Sequence, residues 1–179
     1  MTTALELRGI RKCFVAGAGN CRASAHVLRG VDLVLRTGEC VAVVGAPGAG
    51  KSTLMLCAAG LMTPDVGDRR WFGDASRAIA VRRTLYHANA SDLTREGSAG
   101  EAHVHLVDVP VVGDAELALE RWIHQRCERG DAVLAIARDE STARRIASRA
   151  YLLRMGQLQI LAPTHARVAE FVDRSFQRV

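Results

Sequence analysis

The amino-acid sequence predicts a three-layer α/β fold, in which helices pack around a largely parallel central sheet. Three apolar segments predict central parallel strands. Cys40–Val44 is a continuous apolar run, and the other two are Val104–Val107, which is apolar apart from His105, and residues 132–137. Helix-like segments follow these runs, as crossover connections between parallel strands require. With 179 residues and 49% hydrophobic residues, the chain is long enough for one sizeable core. We therefore expect residues 1–179 to form a single domain.

The other elements are predicted in chain order from local periodicity and turn residues. Short alternating runs at 5–7 and 31–35 indicate two early strands, and residues 54–61 indicate a helix that ends near Gly60. Further predicted elements are strands at 69–72 and 84–88, a polar loop at 90–102, helices at 116–129 and 141–148, a hairpin of 151–155 with 158–161, and an amphipathic helix at 164–176.

The most informative motif joins the first apolar run to the helix that follows it. Residues 45–53 fit the pattern G-x-x-x-x-G-K-[ST], a phosphate-binding loop when it lies between a strand and a helix. Glycines allow backbone N–H groups to converge on phosphate oxygens. Lys51 would reach the β- and γ-phosphates, and the Ser52 hydroxyl would coordinate Mg²⁺. The predicted phosphate contacts are Gly45, Ala46, Pro47, Gly48, Ala49, Gly50, Lys51, Ser52 and Thr53. The alternative is an ordinary glycine-rich turn before a helix.

The residues on both sides of this loop narrow the class of protein. Residues 28–39 lead into it, and Ala59-Gly60-Leu61, Pro64, Gly67 and Gly73 follow it. These segments resemble the nucleotide-binding domain of ATP-binding cassette (ABC) transporters, and the resemblance covers residues 5–73 and 104–161. It implies a P-loop NTPase fold with an N-terminal antiparallel β part. It also implies ATP and Mg²⁺ as cofactors, and a membrane permease or a second cassette subunit as partner.

The resemblance assigns two further residues. An aromatic side chain at the end of the family's first strand pair stacks on adenine, and Phe14 occupies that place; packing in the core or at an edge is the alternative. The run Val104–Val107 followed by Asp108 resembles the Walker B strand, whose aspartate holds Mg²⁺. A strand-end aspartate that caps a turn is the alternative for Asp108.

Departures from the family's pattern put hydrolysis in question. Val109 stands where the family has the glutamate that activates water, and loss of a general base typically removes about 10²–10⁴ in rate. Arg138 stands in the place of a histidine that contacts the γ-phosphate. An arginine can still pair with a phosphate, or it can pair at the surface with Asp139 or Glu140.

The family's helical subdomain and its Ser-Gly-Gly-Gln signature have no counterpart. The span from Lys51 to Asp108 is too short to contain them, and a short loop at about 90–102 takes their place. The glutamine that normally follows the preceding strand has no clear equivalent, and Asn89 is the nearest amide.

Composition excludes several other classes of function. The formal charge of +5 comes from scattered arginines, which form no stripe typical of nucleic-acid binding. Five cysteines without a C-x-x-C pair indicate reduced thiols in a cytosolic protein. The sequence shows no secretory signal and no run of about 20 apolar residues. We therefore expect a cytoplasmic protein that reaches the inner face of the membrane only through a partner.

Three functions compete at this stage. The first is an ABC-type subunit or accessory protein that binds Mg-ATP and hydrolyses it weakly or not at all alone. The second is an active transporter ATPase whose composite site is completed by a partner. The third is a P-loop small-molecule kinase or nucleotide-dependent regulatory switch. The first follows most directly from the residues, because binding and catalysis are separable.

Overall fold

A computed structural model describes residues 2–16, 23–88, 93, 100–108 and 114–161 of the chain. The strands are β1 (Thr3–Ala16), β2 (Ala23–Arg36), β3 (Cys40–Val44), β4 (Val66–Trp71), β5 (Thr84–His87), β6 (Val104–Val107), β7 (Ala132–Ile136), β8 (Arg149–Arg154) and β9 (Gln157–Ile160). The helices are α1 (Lys51–Ala58), α2 (Arg77–Arg83), α3 (Asp114–Glu128) and α4 (Glu140–Ile146).

Two sheets organise these elements. The central sheet has the order β5-β6-β7-β3-β8-β9, and all neighbouring strands in it are parallel except the β8–β9 hairpin. The N-terminal sheet has the order β2-β1-β4 and is antiparallel. The predicted fold class is therefore confirmed, including its mostly parallel central sheet and its antiparallel N-terminal part.

Two hydrophobic clusters separate the layers. One lies between the N-terminal sheet, α1 and one face of the central sheet, and it contains Leu5, Val43 and Leu54. The other lies between the opposite face and the helices α3 and α4, and it contains Val133 and Ile123. Both faces of β3 are covered, which explains why Cys40–Val44 is apolar without alternation.

Several predicted boundaries differ from the observed ones. Helix α1 begins at Lys51, not at residue 54, because the Leu54 N–H already donates to the Gly50 carbonyl at 2.9 Å. Strands β1 and β2 are far longer than residues 5–7 and 31–35, because each continues by pairing with the other in an extended antiparallel ribbon.

The sequence reasoning missed α2. This helix begins after Ser76, whose side chain accepts the Ile79 N–H, and ends with Arg82 and Arg83. Its single buried residue, Ala80, leaves no apolar stripe for a periodicity argument to detect. The helix predicted at 164–176 and most of the loop at 90–102 lie outside the described residues.

Candidate functional site

The candidate site lies at the carboxyl edge of the central sheet. Strands β3, β7 and β6 are parallel neighbours, so the residues that follow them meet at one edge. The glycine-rich loop follows β3, Asp108 follows β6 and Arg138 comes shortly after β7. Since adjacent strands are about 4.8 Å apart, β3 and β6 are separated by about 10 Å. Ligands of open α/β sheets bind outside this edge.

The loop depends on glycine at two positions. Gly50 has φ 98°, and a Cβ there would lie 2.7 Å from Cγ1 of Val27 on β2. Gly48 has φ 77°, and a Cβ there would meet no atom of the described residues within 4 Å. The first glycine therefore lets the N-terminal sheet pack against the loop, whereas the second borders open space that a ligand could fill.

The N-terminus of α1 faces this space. Gly50 caps the helix without a side-chain hydrogen bond, so its first N–H groups are free of a side-chain acceptor. Uncapped amides and the positive end of the helix dipole together favour an anion. The Lys51 ammonium donates to the carbonyls of Gly45 at 2.7 Å and Ala46 at 2.9 Å. An ammonium has three donors, so one is left for a phosphate oxygen.

Strand β5 orients Asp108 by two contacts. The Asp108 N–H donates to the His87 carbonyl at 2.9 Å, and the Tyr86 hydroxyl lies 3.2 Å from Asp108 Oδ2. Burial, and then the charge of Asp108, raise the pKa of Tyr86 to about 12, so this phenol stays protonated and donates. The sequence reasoning missed Tyr86, although its position at the end of the strand beside β6 was available as a signal.

The residues fit a hard divalent cation but do not form a complete cage. The Ser52 side chain is exposed at the start of α1, and Asp108 is half-buried. A hydroxyl and a carboxylate are oxygen ligands of the kind that Mg²⁺ prefers, the rest coming from water and phosphate. Within the described ranges, no group of three or more His, Cys, Asp or Glu side chains could hold a metal ion.

Phe14 lies in the N-terminal sheet beside the loop. It pairs with Ala25 of β2, two residues before Val27, which packs against Gly50. Its side chain is 41% exposed, and the Lys12 ammonium lies 5.7 Å from the ring centroid. An exposed aromatic ring at this place is available for stacking on a base, and its assignment to adenine stays a prediction.

Arg138 is engaged by carboxylates. Its Nε donates to Asp139 Oδ2 at 3.0 Å, and its Nη1 lies 3.2 Å from Glu116 Oε1. The surface pair with Asp139 that the sequence offered as an alternative is present, and the second partner is Glu116 instead of Glu140. In this arrangement the guanidinium is directed to α3 and α4. Val109 and Asn89 lie outside the described residues.

A buried polar network lies on the α3 side of the same strands. His87 Nε2 is 3.0 Å from His105 Nδ1, and His105 Nε2 is 3.2 Å from Asp131 Oδ2. Asp131 Oδ1 also accepts the backbone N–H of His103 at 2.8 Å, and the indole of Trp122 packs edge-on against both rings. His87 and His105 are fully buried. No sequence motif predicts this network, because its members come from β5, from β6 and from the residue directly before β7.

A glycine-rich loop between a buried strand and an uncapped helix, with an aspartate on the same sheet edge, defines a P-loop NTPase domain. Comparison with known protein families agrees with this class and identifies one family within it. The model of the family described as "ABC transporter" matches residues 28–166. The chain belongs to the ABC transporter family.

Individual relatives match shorter segments. The lipoprotein-releasing system ATP-binding protein LolD of Roseobacter denitrificans is 46% identical over 81 residues, which are 45% of this chain and 34% of that protein. The pyoverdine export ATP-binding/permease protein PvdT of Pseudomonas syringae is 44% identical over 78 residues, which are 44% of this chain and 11% of that protein. The matches therefore span about a third of one relative and about a tenth of the other.

Solved structures confirm the fold. One described as the ATP-binding subunit of an ABC transporter has a TM-score of 0.66 and 18% identity, with 95% of this chain and 94% of that chain covered. A dimeric bacterial ABC transporter cassette has a TM-score of 0.63 and 15% identity, with 87% and 96% covered. The chain thus has the fold of an ATP-binding cassette. None of the helices in the described ranges is both long enough and apolar enough to cross a membrane.

Proposed function

We propose that this chain binds Mg-ATP and serves as a subunit or accessory protein of an ABC transporter, with weak or no hydrolysis alone. One observation supports the binding step above all others. The uncapped N-terminus of α1, the Lys51 ammonium and Asp108 lie along one edge of the sheet, where a triphosphate and its cation need opposite charges side by side.

Within this proposal, the backbone of residues 45–53 holds the phosphates and Lys51 neutralises the β- and γ-phosphates. Ser52 and Asp108 hold Mg²⁺, which screens phosphate charge when bound. Tyr86 keeps the Asp108 carboxylate in place by its hydrogen bond. Phe14 provides a face for the base.

The proposed lack of strong hydrolysis has two grounds. Val109 cannot remove a proton from water, and no rearrangement of the fold changes that chemistry. Arg138 is held by Asp139 and Glu116, so its charge is already compensated away from the phosphates. Both point to a chain that retains nucleotide binding and lacks the groups for turnover.

The proposed partners follow from the relatives. LolD is described as the ATP-binding protein of a lipoprotein-releasing system, and PvdT as an ATP-binding/permease protein of pyoverdine export. We propose that this chain likewise associates with a membrane permease. It would then be cytoplasmic and peripheral to the membrane. We also retain residues 1–179 as one cassette domain, with a short loop at about 90–102 in place of the helical subdomain.

A second candidate is an active ATPase with a composite site. Two structural neighbours are described as dimers, one of them bound to ADP and phosphate in a post-hydrolysis state. A partner cassette with a complete set of catalytic groups could complete a site that includes residues 45–53 of this chain.

A titration with a fluorescent ATP analogue tests the proposed function. The wild type should bind the nucleotide more tightly with Mg²⁺ than with EDTA. Lys51→Ala should weaken binding about tenfold or more, since charge-assisted contacts contribute about 1.5–3 kcal/mol. Arg70→Ala is the control, because it removes a cation at an exposed position in β4, and its nucleotide affinity should equal that of the wild type. Equal affinity of the wild type and Lys51→Ala would overturn the phosphate-binding assignment.

A further inference from the structure

The buried network of His87, His105 and Asp131 has an unfavourable free energy of burial, which apolar residues at the same positions would avoid. Transfer of a carboxylate into an apolar layer is unfavourable, and apolar side chains of similar volume often stabilise a core as well as a buried ionic group does. Many of the surrounding residues on this face are apolar, among them Val107, Leu119 and Val133. The buried polar neighbours are His103, beside Asp131, and Arg126, whose guanidinium lies 5.3 Å from the Trp122 ring centroid. A polar chain from the residue before β7 through β6 to β5 therefore calls for an explanation beyond packing.

The hydrogen bonds of the network have a direction. Burial opposes ionisation of Asp131, but hydrogen bonds from His105 and His103 lower its pKa, so the carboxylate accepts. His105 then donates through Nε2. With a neutral imidazole, His105 accepts at Nδ1 from the Nε2–H of His87, at 3.0 Å. Each ring is thereby fixed in one tautomer and one orientation.

One end of the network lies on β5, the strand whose last residues contact Asp108. Among the described residues, strand β5 is the edge strand of the central sheet and pairs with β6. Its last two residues supply both contacts to Asp108, the Tyr86 hydroxyl and the His87 carbonyl. The His87 ring is the buried anchor of this strand end, because it bonds to His105 and packs against Trp122.

We propose that Asp131 is a positioning residue for Asp108: through His105 and His87 it holds the end of β5, and with it the two groups that orient the metal-binding carboxylate. The inference rests on the proposed function, since it concerns the site for Mg²⁺. Asp131 lies directly before β7, beside the amino ends of the strands, and acts without touching nucleotide or metal.

The experiment measures how strongly Mg²⁺ enhances nucleotide binding, as the ratio of the dissociation constants in EDTA and in Mg²⁺. Loss of a direct hydrogen-bond partner of a metal ligand costs about 10–100-fold in metal affinity. Asp131 is two hydrogen bonds further from Asp108 than His87 is, so its effect should be smaller. We therefore expect Asp131→Asn to lower the ratio by about threefold to tenfold, with the EDTA constant unchanged. Val133→Ala, on the same face of β7, should lower stability while the ratio stays that of the wild type.

Two further measurements separate positioning from a general structural role. Histidine ¹⁵N NMR should show Nε2–H tautomers of His87 and His105 in the wild type, and Mg-ATP should shift the His87 signal. Asp131→Asn should remove that response. In a double-mutant cycle, His87→Leu should add no further loss to the ratio in Asp131→Asn, because both changes break one chain of contacts.

The outcomes are distinguishable. If the wild type binds no nucleotide, the proposed function fails. If the wild type binds Mg-ATP and Asp108→Asn removes the Mg²⁺ enhancement, but Asp131→Asn retains it in full, the positioning role is overturned and the proposed function stands. A ratio that falls equally in Val133→Ala also overturns it, because lost stability would then account for the effect.

Discussion

The loop after β3 and the strand pair β5–β6 reach the same edge of the sheet by different physical means. The loop is built from consecutive residues, and its proposed binding groups are main-chain amides plus the Lys51 ammonium. Asp108 is placed by the Tyr86 hydroxyl and the His87 carbonyl of β5. The His87 ring in turn bonds to His105 of β6, which bonds to Asp131 directly before β7. The first half of the site is local in sequence, and the second half exists only after three strands have paired.

The difference predicts how each half responds to mutation. A change in the loop strains a single backbone conformation, whereas a change in the buried network leaves several hydrogen-bonding groups without partners at once. Mutations in the two regions should therefore have different signatures in stability and in binding.

The largest effect is expected from Asp131→Leu. This change leaves the His105 imidazole N–H and the His103 backbone N–H buried without their acceptor. Each buried unsatisfied donor costs about 1–3 kcal/mol, so the free energy of unfolding should fall by about 3 kcal/mol. Urea unfolding measures it. Asp68→Leu, at an exposed position in β4, is the control. A loss below about 1 kcal/mol would show that the network contributes little.

Within the loop, the stability of Gly50→Ala can be compared with that of Gly48→Ala. Both put a side chain at positive φ, at a cost of about 1–2 kcal/mol. Only the alanine at position 50 also collides with Val27, so that variant should be less stable by about 1 kcal/mol more. Thermal unfolding of the two variants measures the difference. Equal stabilities would mean that the Val27 side chain moves away from the new methyl group without a loss of stability.

Tyr86→Phe tests the contact between β5 and Asp108, and its expected effect is smaller. It removes one hydroxyl and retains the ring, so the fold should lose at most about 1 kcal/mol. The enhancement of nucleotide binding by Mg²⁺ should fall by about threefold to tenfold, because Asp108 loses an orienting donor. Isothermal titration in Mg²⁺ and in EDTA measures it. Tyr151→Phe is the matched control, and an equal fall there would remove the special role of Tyr86.

The smallest expected effect is the pH dependence of the network. The folded-state pKa of Asp131 is lowered, so its contribution to stability is present above the ordinary aspartate pKa of about 3.9. That contribution is lost as the pH falls from about 4 through the lowered value. The stability difference between the wild type and Asp131→Asn should be constant from pH 7 to about pH 5 and shrink by about pH 3. Urea midpoints at these three pH values test it, and a difference independent of pH would contradict the ionised carboxylate.

Sequence reasoning succeeded where a pattern is contiguous. Residues 40–44 are apolar because both faces of β3 are covered. The loop that follows has the spacing G-x-x-x-x-G-K-[ST], which is the pattern of phosphate-binding loops. It failed at α2, whose single buried residue leaves no periodic stripe. It also assigned no role to Tyr86 or Asp131, since their partners are 22 and 26 residues away in sequence.

The sequence by itself determined the class of fold and the strand–loop–helix unit of residues 40–58, because each is a property of neighbouring residues. Tertiary structure alone decided which groups surround Asp108, where the Arg138 guanidinium is directed, and that two histidines and an aspartate form one chain under the site. The physical reason is that sheet order brings β5, β6 and β7 together, and strand order is set by how all the apolar faces are buried at once.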